Sequence, residues 1–183
     1  MNSCDVVIAG LGGQGIVLAS RVLMDLALRQ GLPVRGAETH GMAQRGGSVL
    51  AHVRVGACAS PEVLPGRADL VLALEHHEGM RALPFLKPGG ILVVNAEGPE
   101  VLPAAVRAHL EALGVRLLPV PGTRLAQEAG HAKALNMVLV GVACGLPDTP
   151  FTLEAAVAAV TALVKPRARP ASLAALELGA ERA

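Results

Sequence analysis

The sequence contains no tryptophan and no tyrosine, and only two phenylalanines among 183 residues. A core must therefore be packed from Leu, Val and Ala. Stacking of bases on aromatic rings is nearly impossible, which argues against single-strand nucleic-acid binding. Sixteen basic and 15 acidic residues leave a net charge of +1, so there is no basic footprint for DNA or RNA. Cysteine is scarce: Cys4, Cys58 and Cys144 are far apart and form no C-x-x-C. That spacing does not suit an iron–sulfur cluster or a structural zinc held by this chain alone. An odd number of cysteines and no visible secretory leader fit a reducing cytoplasm. Charges interrupt every apolar run well before transmembrane length, so no membrane span is expected. There is no G-x-S-x-G, no H-E-x-x-H and no P-loop lysine.

What the chain does have is 52% hydrophobic residues, 17% charged residues and 21 glycines. This is the composition of a soluble globular protein, long enough for one domain over residues 1–183. Val6 to Ala9 is an apolar, β-branched run that leads into Gly10-Leu11-Gly12-Gly13-Gln14-Gly15. Gly10, Gly12 and Gly15 have G-x-G-x-x-G spacing between a predicted strand and a predicted helix. That arrangement allows a tight turn, close approach of a ligand and close helix–strand packing. It also presents a helix N-terminus to an anion. The alternative is a βα turn used for packing alone.

Taken in order, the pattern predicts strands at 5–9, 33–38, 49–55, 68–74, 91–95 and 115–120, separated by helices. The first helix spans about 15–30 and closes on Gly31. Others are expected near 75–86, 100–113, 125–130, 133–144, 152–164 (capped by Thr152) and 172–181, with a turn at Lys87-Pro88-Gly89-Gly90. Strands alternating with helices specify a three-layer α/β fold with a mainly parallel Rossmann-like sheet. Val49–Val55 alternates in polarity and is a possible antiparallel addition.

Three groups could carry chemistry. Glu38 follows Gly15 by 23 residues, near where an acidic residue would hold a nicotinamide ribose, although no dehydrogenase residue set completes that reading. Glu75-His76-His77-Glu78 could suggest a metal, but adjacent residues point to different faces, which favours a polar helix start. The third group is a glycine-rich loop with Glu38, His40, Gly41, Gln44, Arg45, Gly46, Gly47 and Ser48. Arg45 could clamp a phosphate or carboxylate, or it could pair with Glu38 as a staple. If this loop and the first glycine turn leave adjacent parallel strands, both face one crevice.

Gly10-x-Gly12-Gly13-Gln14-Gly15, Glu38-x-His40-Gly41-Met42-Ala43-Gln44-Arg45-Gly46-Gly47-Ser48-Val49 and His52-Val53-Arg54 together resemble the gamma subunit or domain of 2-oxoacid:ferredoxin oxidoreductases. The likeness is strongest to the small subunit of the indolepyruvate enzymes. Lys133-Ala134-x-Asn136-Met137 extends it over nearly the whole chain. The resemblance implies a complex that oxidatively decarboxylates a 2-oxoacid on thiamine diphosphate. Electrons pass through 4Fe–4S clusters to ferredoxin, and an acyl-CoA is formed. No Gly-Asp-Gly thiamine motif occurs here, so a larger partner subunit would carry thiamine and clusters, with ferredoxin served through it. This chain would bind none of these cofactors alone. It would shape the active-site entrance or the coenzyme A path through the glycine segments and Asn136, with no catalytic residue of its own. The isolated chain is expected to be inactive and to self-associate as a homodimer through apolar surface. A stand-alone nicotinamide-dependent enzyme and a non-catalytic binding module are the other readings.

Overall fold

A computed structural model of the protein describes residues 3–40 and 46–183. In chain order the elements are β1 (Cys4–Leu11), α1 (Ile16–Arg29), β2 (Val34–His40), β3 (Ser48–Val55), β4 (Ala68–Ala73), α2 (His76–Ala82), β5 (Leu86–Asn95), α3 (Ala104–Ala112), β6 (Arg116–Val120), α4 (Gly122–Glu128), α5 (Leu135–Gly145), α6 (Leu153–Leu163) and α7 (Arg169–Ala180). The strands form one sheet in the order β2-β3-β1-β4-β5-β6. β1, β4, β5 and β6 are mutually parallel, whereas β3 runs against both β1 and β2. The fold is therefore the expected α/β type, with the antiparallel addition at Ser48–Val55.

Alternation along the strands divides the core in two. Val6, Ile8, Leu72 and Val93 face α1, α4 and α5, while Val7, Ala9, Val71 and Leu92 face α2 and α3. With both faces covered, the central strands read as continuous apolar runs. An additional helical shell covers the first face, where α6 packs on α1 and α7 on α5. Every residue from Leu135 to Ala143 of α5 is buried. Close packing of α5 and α7 depends on glycine: a Cβ on Gly141 would overlap the backbone oxygen of Leu176, and one on Gly179 would overlap that of Val138.

Three local expectations change. Lys87-Pro88-Gly89-Gly90 is not a turn ahead of the strand but lies inside β5. Ala68 pairs with Leu86 while Leu70 pairs with Ile91, so the segment bulges out of the ladder, with Gly89 left-handed at φ 72°. The last helix begins at Arg169 rather than at 172, with Pro170 in its first turn, where the missing N–H has no intrahelical acceptor to lose. The helix expected over 75–86 stops at Ala82 and tightens into a 3-10 turn at Leu83–Phe85 around Pro84. Thr152 does cap α6, accepting from Ala155 N at 3.3 Å.

Two predictions follow from this packing. Gly179→Ala should destabilise the protein by at least about 2 kcal/mol, because a backbone carbonyl rather than a movable side chain opposes the methyl; urea unfolding measures it. His52 of β3 is buried, stands edge-on to Phe85 with ring centroids 5.3 Å apart, and accepts from Val63 N at 3.3 Å through Nδ1. Burial pushes its pKa below the ordinary 6.5, and Glu62 opposes this in part. A base whose folded-state pKa is depressed contributes its full stability above the unfolded-state value and loses it on acidification. The unfolding midpoint should therefore fall below about pH 6.5. A His52→Gln variant should lose that slope even if it is less stable throughout.

Candidate functional site

The carboxyl edge of the sheet collects the glycine segments. β1 ends at Leu11, and the following turn is closed from within: Leu11 N–H donates to Gln14 Oε1 at 2.7 Å, and Gln14 N–H to Leu11 O at 3.1 Å. Gly15 is left-handed at φ 79° and starts α1 with no side-chain cap. The first-turn amides of α1 consequently keep the positive end of the helix dipole available. The second glycine segment lies directly against this turn. Gly12 N–H donates to Gly47 O at 2.8 Å, and Gly46 N–H to Gly12 O at 3.4 Å.

This contact arises differently from the sequence expectation. β2 and β1 are not neighbours, because β3 lies between them. The two loops meet through the antiparallel ladder, which pairs Gly10 with Val49 and Leu11 with Ser48. The same insertion removes the arrangement a nicotinamide ribose would need. Glu38 sits on β2, beyond β3 from the turn, and accepts a hydrogen bond from Ser20 Oγ of α1 at 3.2 Å. His40 ends β2 opposite Val49. Gly41, Gln44 and Arg45 lie outside the described residues, as does any pairing of Arg45 with Glu38.

Asn136 joins the turn from the other side of the chain. It is 4% exposed, donates from Nδ2 to Gly15 O at 3.0 Å and accepts from Met137 N at 3.0 Å. A Cβ on Gly15 would collide with the Asn136 amide, so the glycine is needed for both its backbone angle and its contact. A cavity of about 260 Å³ opens here, lined by Gly13, Gln14, Gly15, Leu18, Lys133 and Asn136 among others. Lys133 contributes a cation at its exposed rim.

β1 continues into α1 on one face of the sheet, and β4 into α2 on the other. The crevice between their carboxyl ends is the point where open α/β sheets bind ligands. Leu74 N–H donates to Ala9 O at 2.8 Å and holds the end of β4 against β1. Sequence reasoning undervalued the residues on the α2 side. Glu75 is extended (φ −136°, ψ 132°) and caps α2, its carboxylate folding back over the helix start to accept from Glu78 N–H instead of diverging from the histidines. His76 Nδ1 and His77 Nδ1 lie 3.1 and 3.0 Å from the same oxygen, Glu75 Oε1. Burial works against the Glu75 anion, but the Glu78 backbone N–H and the two imidazoles hold its pKa below the ordinary value. The signal was the position of this acid–histidine run at the end of the strand beside β1. Ser48 meets the same helix, donating to Glu78 Oε2 at 2.5 Å, while Glu78 Oε1 accepts from Arg81 at 2.9 Å.

At the opposite edge of the sheet, a cavity of about 560 Å³ contains Cys4 and Cys58, with Arg54 paired to Asp5 and Lys87 to Asp69. Cys4 and Cys144 are pushed up to about 12 by burial, so both thiols are protonated at neutral pH. Among the described residues, no helix is long and apolar enough to cross a membrane.

The Asn136 contact is testable. Asn136→Ala should cost about 1–2 kcal/mol, because Met137 N–H loses its buried acceptor and Gly15 O keeps only the helical bond from Ala19 N–H. Asn136→Asp keeps the acceptor for Met137 but faces a carboxylate oxygen to Gly15 O, so it should cost more. Thermal unfolding ranks the two, and hydrogen exchange should report the loss at the first turn of α1.

Comparison with known proteins places this architecture. The indolepyruvate oxidoreductase subunit IorB of Archaeoglobus fulgidus is 35% identical, over 98% of this chain and 94% of that protein. The 2-oxoglutarate synthase subunit KorC of Methanothermobacter thermautotrophicus is 30% identical, over 97% of this chain and 93% of that protein. The crystal structure of the gamma subunit of a keto/oxoacid ferredoxin oxidoreductase from Geobacter sulfurreducens has the same fold, with a TM-score of 0.79 and 24% identity. It covers 98% of this chain, which covers 97% of it. Residues 5–182 match the family described as pyruvate ferredoxin/flavodoxin oxidoreductase. On that match, and on identity over almost the full length of these relatives, the chain belongs to the pyruvate ferredoxin/flavodoxin oxidoreductase family.

Proposed function

We propose that the chain, as one gamma-type domain, is the small subunit of a thiamine-diphosphate-dependent 2-oxoacid:ferredoxin oxidoreductase acting on indolepyruvate or a related arylpyruvate. The observation that carries this reading is the near-full-length 35% identity to a subunit named for indolepyruvate, against 30% for one named for 2-oxoglutarate. The assembled enzyme decarboxylates the 2-oxoacid, joins the acyl group to coenzyme A and passes two electrons to ferredoxin. Thiamine diphosphate and the 4Fe–4S clusters belong to a larger partner subunit, through which ferredoxin is reduced. The cysteines of this chain support that division. A cluster takes several thiolates close together, and Cys4, Cys58 and Cys144 have no such spacing.

The chain's own part is the carboxyl-edge crevice. The uncapped first turn of α1, the Gly12–Gly47 contact and Lys133 suit an anionic group. The group is a coenzyme A phosphate, a thiamine diphosphate phosphate or an acidic side chain of the partner. Gly10, Gly12, Gly13, Gln14, Gly15, Gly46, Gly47, Ser48 and Asn136 build or brace this wall. Glu38, His40, Gly41, Gln44 and Arg45 belong to the segment that continues from it. Apolar side chains exposed at Leu28 and Leu64 offer surface for a homodimer of the isolated chain and for the partner. The cytoplasm is the compartment that fits free, unpaired cysteines.

Co-expression with the larger subunit tests the reading. The purified complex should reduce ferredoxin or viologen with indolepyruvate or phenylpyruvate only when coenzyme A is present. The small subunit alone should not. Equal or faster turnover with 2-oxoglutarate or a branched 2-oxoacid would overturn the arylpyruvate assignment, and activity of the isolated chain would overturn the subunit role.

A further inference from the structure

The Glu75-His76-His77 cluster is not used by the reading above and does not depend on it. Each of the three residues offers a ligand atom within 4.8 Å of the other two, and His76 Nδ1 and His77 Nδ1 stand 3.1 and 3.0 Å from Glu75 Oε1. Their arrangement is held before any ligand arrives. Glu75 Oε2 accepts from Glu78 N–H at 2.9 Å, which fixes the carboxylate plane and turns Oε1 toward the rings. The rings sit with centroids 3.9 Å apart and planes tilted by 39°, so both nitrogens reach the same side. A carboxylate oriented by a backbone N–H is the usual outer support of a metal ligand.

Without a cation, His77 Nδ1 is hydrogen-bonded to the Glu75 oxygen at 3.0 Å and His76 Nδ1 stands 3.1 Å from the same atom. A single divalent ion binds all three donors through lone pairs and displaces any imidazole proton between them. Two imidazoles and one carboxylate form a His2Glu set, which selects zinc-like ions over the oxygen-seeking calcium and magnesium. Three protein donors leave a position for water or a further ligand. The short helix α2 does not oppose the charge, since carboxylates of Glu75 and Glu78 stand at its first turn. Glu78 is occupied by Ser48 and Arg81 and is not counted as a ligand.

We propose that Glu75, His76 and His77 bind one divalent transition-metal ion of the zinc class at the carboxyl edge of the sheet, on the α2 side of the crevice. The ion adds positive charge across the crevice from the glycine turn.

The test uses the full chain free of any affinity tag, titrated with zinc by calorimetry and with cobalt by its visible ligand-field absorption. One equivalent should bind saturably. His76→Ala and His77→Ala should each weaken binding at least tenfold. Glu75→Gln should do the same while retaining an oxygen to cap Glu78 N–H. His131→Ala, an exposed histidine outside the cluster, should leave binding unchanged. Should any variant unfold, the wild-type chain still decides: cobalt should shift or broaden the ring resonances of His76 and His77 before those of the other histidines. Absence of saturable binding, or retention of it in the His76→Ala/His77→Ala double variant, would overturn the proposal. So would ring signals of His76 and His77 that cobalt leaves unmoved.

Discussion

The structure depends on the antiparallel ladder between β1 and β3. Eight residue pairs run from Cys4–Val55 to Leu11–Ser48. The ladder ends where both glycine segments begin, so Gly12 and Gly47 meet without any side chain between them. A parallel neighbour would have brought a crossover and its helix to this edge. The reversed strand instead brings a second loop back beside the first turn. The same insertion moves β2 one strand outward and leaves Glu38 over α1, away from the turn.

The packing beneath this edge compensates for the shortage of aromatic residues. Leu, Val and Ala give flat helix faces, and glycine lets those faces approach until backbones touch. α5 is buried along most of its length, enclosed by its helical neighbours, and Gly141 and Gly179 set its distance from α7. Asn136 is the polar exception at the start of that helix, and both ends of its amide are bonded. A buried amide satisfied at both ends ties the glycine turn to α5 with a defined orientation. The position of the turn is therefore coupled to the deepest helix of the fold.

The carboxyl edge is electrostatically divided. On the α1 side, an uncapped helix start and Lys133 present positive potential. On the α2 side, Glu75 and Glu78 satisfy helix amides and side-chain partners, and two histidines converge on one oxygen. The opposite edge is quieter. Arg54 is paired with Asp5 and Lys87 with Asp69 there, and Cys4 is held as a neutral thiol.

Much of this was legible in one dimension. The apolar run before Gly10, the periodicity of the first helix, the alternation at Val49–Val55 and the cap at Thr152 are local, and each follows from neighbours a few residues apart. The tightening after Ala82 is local too, since it follows from Pro84, whereas the bulge at Lys87–Gly90 was not legible, because ladder pairing overrode turn chemistry there. Of the site, the glycine turn and Asn136 were visible as motifs, whereas their contact across 121 residues was not. Convergence of His76 and His77 depended on the extended backbone of Glu75, which residue spacing does not specify. Most of the elements, the fold class and the glycine segments were readable along the chain, since these depend on local propensity and hydrophobic period. That β3 separates β2 from β1, that Glu38 turns to Ser20 and that Glu75 draws two histidines together became visible in three dimensions alone. Strand order and cap geometry depend on contacts between residues the chain keeps apart.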